Sequence, residues 1–233
     1  MTAKSIRARV RDELTSEIKA IARRQLATEG ANLSLRAVAR ELGMVSSAVY
    51  RYFPSRDDLL TALIIDCYDE LGAAAETAES AVDRADLLGR WLAAGHGIRD
   101  WALANPAEYA LIYGSPVPGY QAPRTTIGPA ARTTDLILTL LADGVAAGTV
   151  AVPAAGTDPP LSPLLAAELD RIAALACPTV PRELLSRGTT AWIQLFGVVT
   201  FELFGRFQNM IEEGRRDFFD RQLRVMAAYV GLR

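Results

Sequence analysis

Residues 34 to 58 read SLRAVARELGMVSSAVYRYFPSRDD, and few folds accept such a stretch. Leu35, Val38, Ala39 and Leu42 recur at the offsets of one helical face, and Val45, Ala48, Val49 and Tyr52 repeat the pattern. Two short amphipathic helices are therefore predicted, with no room between them for more than a tight turn. Gly43 stands where the first helix must stop, at the left-handed position that a residue without a Cβ occupies easily. Ser46 is expected to cap the second helix. Ala39 is small where the helices must approach closely, and Val49 is placed to fill the angle between them. Such a pair matches a helix-turn-helix, whose second helix enters the major groove of DNA. A plain helical hairpin has the same apolar offsets, so the turn by itself leaves both readings open.

The residues that follow favour the first. YRYFPSRDDLL gathers Tyr50, Tyr52, Phe53 and Arg56 just past the second helix. Pro54 ends that helix, and Ser55 is placed to cap the next, with Asp57 and Asp58 in an acidic first turn. Together these motifs, over about residues 7 to 65, resemble the DNA-binding domain of the TetR family of transcriptional regulators. That family's signature runs from a long first helix through a Thr- or Ser-led second helix to Tyr-x-x-Phe-x-x-Lys. Here Ser34 stands for the usual threonine and keeps the hydroxyl, while Arg56 stands for the usual lysine and keeps the charge.

Charge is divided along the chain in the same sense. Residues 1–60 carry eleven Lys and Arg against seven Asp and Glu, a net of +4, and the remainder carries fourteen against twenty, a net of −6. A basic module on an acidic body suits a polyanion at one end only. The first thirty residues alternate charged and apolar types and do not read as a signal peptide. The longest apolar stretch, Ala191 to Phe201, holds Gln194 and Thr200 and is too short to span a bilayer, so the expected location is the cytoplasm. No membrane partner is expected.

Catalytic and cofactor chemistry finds little support, and no enzyme is expected. His96 is the sole histidine, between Gly95 and Gly97, without the clustered ligands that a metal requires. No nucleophile elbow, phosphate loop or dinucleotide fingerprint appears. The pairs Asp57-Asp58 and Glu212-Glu213 sit at helix ends and read as solvated or capping groups. Cys67 and Cys177 lack metal spacing, and Cys67 falls on an apolar stripe, as a small core residue does.

The rest of the chain reads as all-α, with an N-terminal three-helix module over 1–60 and a helical effector-binding and dimerisation domain over 61–233. Helices are predicted over Ile6–Glu29, with Val10, Leu14, Ile18, Ile21 and Leu26 inward, and over Arg56–Thr77, with Leu60, Leu63, Ile64, Cys67 and Leu71 inward. Others are expected over Asp83–Ala104, from Pro106 to Tyr113, and over Ala130–Ala147, Pro163–Ala176, Arg182–Glu213 and Arg216–Val230. Two proline-rich segments, 114–129 and 148–163, interrupt them. Loops of this length tend to be functional or mobile. The segment TTAWIQLFGVVTFELFGRF, with YGSPVPGY, resembles the Trp-x-x-x-His-Gly element of one subgroup of TetR-like C-terminal domains. That subgroup's histidine is Phe196 here, and any role of the imidazole does not carry over.

The resemblance implies a division of labour on DNA. Ser46, Ser47 and Ala48 are small enough to let the second helix sit deep in the groove and touch base edges. Tyr50, Tyr52 and Arg56, with Ser34 and Arg36 ahead of them, are expected to hold phosphates, which position without selecting sequence. Arg51, the one long bidentate donor in the second helix, can read guanine or hold phosphate, and its place beyond the first turn favours phosphate. Tyr52 also lies on the apolar stripe and doubles as a core residue. A homodimer on a pseudo-palindromic operator is implied. Trp192, Phe196, Val199 and Leu203, and equally Phe219, Leu223, Met226 and Val230, form helical stripes for a four-helix interface. By pattern alone each stripe fits its own core equally well. Trp91, Trp101, Tyr109 and Tyr113 are candidates to line a pocket for an unidentified small-molecule effector, though core packing explains them too. The expected function is a repressor released from DNA by that effector. An activator, or a helical module that binds another protein, is the alternative.

Overall fold

The computed structural model describes residues 3–30, 33–150 and 158–232, and every described element is helical. The chain divides into two compact units, one of residues 1–70 with 105–129 and the other of 71–104 with 130–233.

The first unit holds α1 (Ala3–Glu29), α2 (Leu35–Glu41), α3 (Ser46–Val49), the first part of α4 (Arg56–Ser80) and α6 (Pro106–Tyr113). Its core is Ile18, Ile21 and Leu26 of α1, Leu35, Val38 and Ala39 of α2, Val49 of α3, and Leu59, Leu60 and Leu63 of α4. The inward row predicted for the first helix thus begins later than expected. Val10 is 45 % exposed, and all of 6–13 lies in solvent ahead of the core. Ser55 caps α4, its Oγ accepting from the Asp58 N–H at 3.1 Å and donating to the Asp58 carboxylate at 2.7 Å.

Part of the first proline-rich segment belongs to this unit rather than forming a free loop. Val117 and Tyr120 pack against the core beside Leu111 and Ile112 of α6. The Tyr120 hydroxyl lies 2.9 Å from Thr61 Oγ1, and Tyr68 Oη donates to the Ile112 carbonyl at 3.3 Å. A short 3₁₀ turn, Arg124–Thr126, closes the segment.

The second unit comprises the remainder of α4 with α5 (Leu87–Ala104), α7 (Ile127–Ala146), α8 (Pro163–Ala176), α9 (Arg182–Leu203) and α10 (Arg215–Val230). α5 starts later than the predicted Asp83, because Asp86 accepts the Gly89 N–H at 2.8 Å and makes the cap there. α8 begins at Pro163 as expected, with Ser162 Oγ accepting from Leu165 N. α9 is ten residues shorter than expected. Gly205 at φ +72° turns the chain left-handed, and the N–H groups of Gly205 and Arg206 bond back to Glu202 and Phe201. These are the two bonds of a Schellman stop, and a residue without a Cβ enters that conformation without strain. The core joins Trp91 and Ile98 of α5, Leu140 and Leu141 of α7, Leu184, Leu195 and Val199 of α9, and Phe219 and Leu223 of α10.

Cys67 is fully enclosed on α4, and burial pushes its thiol up to about 12. Cys177 is buried as well. No helix among the described residues is long and apolar enough to cross a membrane.

Candidate nucleic-acid interface

The turn between α2 and α3 follows from Gly43. It adopts φ +66°, its N–H donates to Arg40 at 3.1 Å, and the Met44 N–H reaches back to Ala39 at 2.9 Å. These bonds satisfy carbonyls that the end of α2 leaves without partners. The chain then runs straight into α3. Val49 is fully buried and Ala39 is 1 % exposed, so the pair sits in the angle between the helices as the spacing predicts.

Two details differ from expectation. The cap of α3 is Val45, in extended conformation, and Ser46 is the first helical residue. Because Val45 lies outside the helix, its side chain leaves the apolar stripe and stands 70 % exposed beside the exposed Ser47. Offset counting misses this surface position because it assumes a helix beginning one residue sooner.

The remaining candidates distribute over an outer face and an inner one. Tyr50, Arg51 and Arg36 are exposed, while Ser34, Ser46, Ala48, Tyr52 and Arg56 are half-buried. Ser34 Oγ accepts the Ala37 N–H at 3.3 Å and so caps α2, leaving the hydroxyl proton to donate outward. Tyr52 packs on the core, and the Arg11 guanidinium lies 5.4 Å over its ring centroid. Arg56 has Asp57 at 3.4 Å. Between Ser34 and Arg56 the sole acidic residue is Glu41, and Arg24 of α1 neutralises it at 2.6 Å. The face around α3 is therefore basic, with small side chains on the helix itself and tyrosines at its exit. Arg40, exposed on α2, is a further cation that stripe counting overlooks.

Residues expected at a partner interface mostly turn inward. Phe196, Val199, Phe219, Leu223 and Val230 are at most 5 % exposed within their own unit, and Trp192, Leu203 and Met226 are half-buried. The reason is register: α9 and α10 pack on each other and on α5 through these faces. The outward face of α9 instead carries Ile193, Gly197, Phe201 and Phe204, with Val225 on α10.

The four aromatic pocket candidates fall in different units. Trp91 is 1 % exposed and its indole N–H donates to the Leu223 carbonyl at 2.8 Å, so it is a core residue of the second unit. It borders an apolar seam with Ile137, Leu141, Gly188 and Val230 that is too tight for water. Trp101 is half-buried on the same helix. Tyr109 and Tyr113 belong to the first unit, where their rings lie 5.1 Å apart and Tyr113 meets Tyr68 edge-on at 6.0 Å. Among the described residues no three His, Cys, Asp or Glu side chains gather to hold a metal.

Comparison with known proteins agrees with this geometry. Residues 18–63 match a family described as bacterial regulatory proteins, tetR family, and residues 91–226 match one described as tetracyclin repressor-like, C-terminal domain. The HTH-type transcriptional regulators Rv1816 of Mycobacterium tuberculosis (strain ATCC 25618 / H37Rv) and Mb1846 of Mycobacterium bovis are each 36 % identical to this chain over 224 residues, covering 94 % of it and 92 % of the relative. Among solved structures, the putative regulatory protein SCO4313 superposes with a TM-score of 0.75 at 35 % identity, covering 95 % of this chain and 98 % of that one. The TetR family transcriptional regulator PfmR from Thermus thermophilus, at 18 % identity and a TM-score of 0.54, covers 89 % of this chain and 97 % of its own and shares the fold.

Proposed function

The chain belongs to the TetR family of bacterial transcriptional regulators, and from that premise we propose that it is a repressor that binds a pseudo-palindromic operator as a homodimer and leaves it when a small molecule occupies the second unit. A family member of this kind is a DNA-binding transcriptional regulator. The observation that carries the reading is the exposure of Ser47 on α3, and of Tyr50 and Arg51 in the turn that leaves it, over a helix anchored from beneath by Val49.

In this reading Ser46, Ser47 and Ala48 face the base edges, where a hydroxyl accepts or donates and a methyl meets thymine. Val45 adds an apolar contact of the same kind. Ser34, Arg36, Tyr50, Arg51, Tyr52 and Arg56 hold phosphates on both sides of the groove. Two copies are needed for affinity, with half-sites about one helical turn, roughly 34–36 Å, apart. The surface that would join them is the outward face of α9 and α10, where Ile193 is 58 %, Phe201 54 % and Val225 44 % exposed. The apolar walls of the seam beside Trp91 would suit a small apolar molecule, which would have to part α5, α7 and α9 to enter. Such a ligand releases DNA only through different affinities for the DNA-competent and incompetent states, typically about 1–3 kcal/mol.

The test is selection of bound DNA from a random pool. The expected product is an inverted repeat, whose affinity falls steeply with salt. About eight phosphate contacts give a log–log slope near −7. Failure to recover any sequence, with salt-independent retention, would favour a helical module that binds another protein. Transcription from the recovered site, with and without the protein, separates a repressor from an activator.

A further inference from the structure

From residue 6 to residue 13, α1 has no core to serve. Residues 6 to 13 are exposed throughout, and the helix first becomes fully buried at Ile18. Such a projection needs a partner or a reason, and its charges point to one. Arg7, Arg11, Leu14 and Ile18 follow at spacings of 4, 3 and 4, which places them on one face. The face that buries Ile18 in the core therefore brings Arg11 over Tyr52, with 5.4 Å between guanidinium and ring centroid. Tyr52 ends the turn that leaves α3, so Arg11 marks where α1 passes the DNA-reading helix. Arg7 stands one turn beyond, about 6 Å further along the axis.

The other charges nearby do not neutralise this face. Arg9, on the opposite side, pairs with Glu13 at 3.4 Å. Arg7 makes no ion pair with any described residue. Two arginines one turn apart repel each other, and near a helix start with no acidic residue in its first turn they also oppose the positive end of the helix dipole. Both penalties reverse when a polyanion faces the helix.

We infer that Arg7 and Arg11 form an additional phosphate clamp, which extends the footprint of each copy onto the duplex flanking its half-site. The inference rests on the DNA-binding reading above and adds residues that the helix-turn-helix does not contain. Being a backbone contact, the clamp adds affinity and salt dependence without sequence preference.

The experiment measures affinity against salt for the full chain on the duplex recovered from the random pool, with long flanks and with flanks trimmed to the half-sites. Arg7→Ala is the informative variant, because no described residue loses an ion-pair partner when it is removed, and a thermal melt checks its fold. The expected result is a log–log slope reduced by about 0.9 for each copy on the duplex. Trimming the flanks should produce the same reduction, and the two changes should not add. Arg7→Lys should restore the slope, and Arg9→Ala should leave it unchanged. A wild-type slope for Arg7→Ala, or an equal loss for Arg9→Ala, overturns the clamp while the wild-type protein still binds DNA. If the wild type binds no duplex even at low salt, the DNA-binding reading falls and the clamp with it.

Discussion

Arg99 of α5 grips Glu202 of α9 with two parallel bonds, Nε to Oε2 at 2.8 Å and Nη2 to Oε1 at 2.6 Å, and both side chains are more than nine-tenths buried. The Phe219 ring lies 5.7 Å from the guanidinium, and Asp100 links it outward to Arg216 at 2.9 Å. Removing one partner strands a desolvated charge. Glu202→Ala should therefore cost about 3–5 kcal/mol in urea unfolding, whereas the double change Arg99→Met with Glu202→Leu should cost far less. Equal losses for both variants would show that packing, not charge, holds this joint.

Gly43 offers a cleaner backbone test. Its φ is +66°, and a Cβ there would meet nothing within 4 Å, so a substitution acts through conformation alone. Gly43→Ala should destabilise by about 1–2 kcal/mol, and Gly43→Asn by less, because asparagine tolerates the left-handed region. Denaturant midpoints at unchanged m-value provide the measurement.

Acid should loosen α10 through Asp220. Arg224, bonded at 2.7 Å, and then His96 at 3.2 Å hold this carboxyl below its ordinary 3.8. A depressed carboxylate contributes stability that is complete above the unfolded value and is lost as pH falls below it. Melting temperature should drop as pH falls below 3.8, and Asp220→Asn should flatten that part of the profile.

Assembly is expected to depend on side chains that the folded unit leaves outside. Ile193→Arg combined with Phe201→Glu should yield monomers by sedimentation while the helical circular dichroism stays unchanged. Binding to a two-half-site duplex should weaken with it. Phe196→Ala, by contrast, should lower stability by about 3–5 kcal/mol, as truncation of a buried phenylalanine does.

Contacts that position and contacts that read should separate in mutants in and around α3. Tyr50→Phe and Arg56→Ala should weaken binding to all sequences alike. Ser47→Ala should change which operator is preferred, by about 1–3 kcal/mol at one base pair. Selection from random pools with each variant distinguishes the two outcomes.

Local chemistry makes much of this architecture readable in the residues. Gly43, Ser55 and Pro163 each specify a boundary through their own backbone or hydroxyl, and each boundary lies where that chemistry demands. Val49 and Ala39 are likewise placed by period alone. Pattern misleads where two arrangements share a period. Phe196 and Val199 fit a partner surface and a private core equally well, and only the packing of α5 and α10 decides between them. Gly205 suits a close helix approach as well as a helix end, and its positive φ ends α9. The association of Tyr120 with Thr61 spans 59 positions, and no local pattern encodes it. The exposure of Val45 depends on where α3 begins, to a single residue.

Both sulfhydryls of the chain, Cys67 and Cys177, are sealed within packed side chains, and burial raises each away from the thiolate form that attacks oxidants. Neither thiol is therefore poised to attack an oxidant unless the helices around it first part.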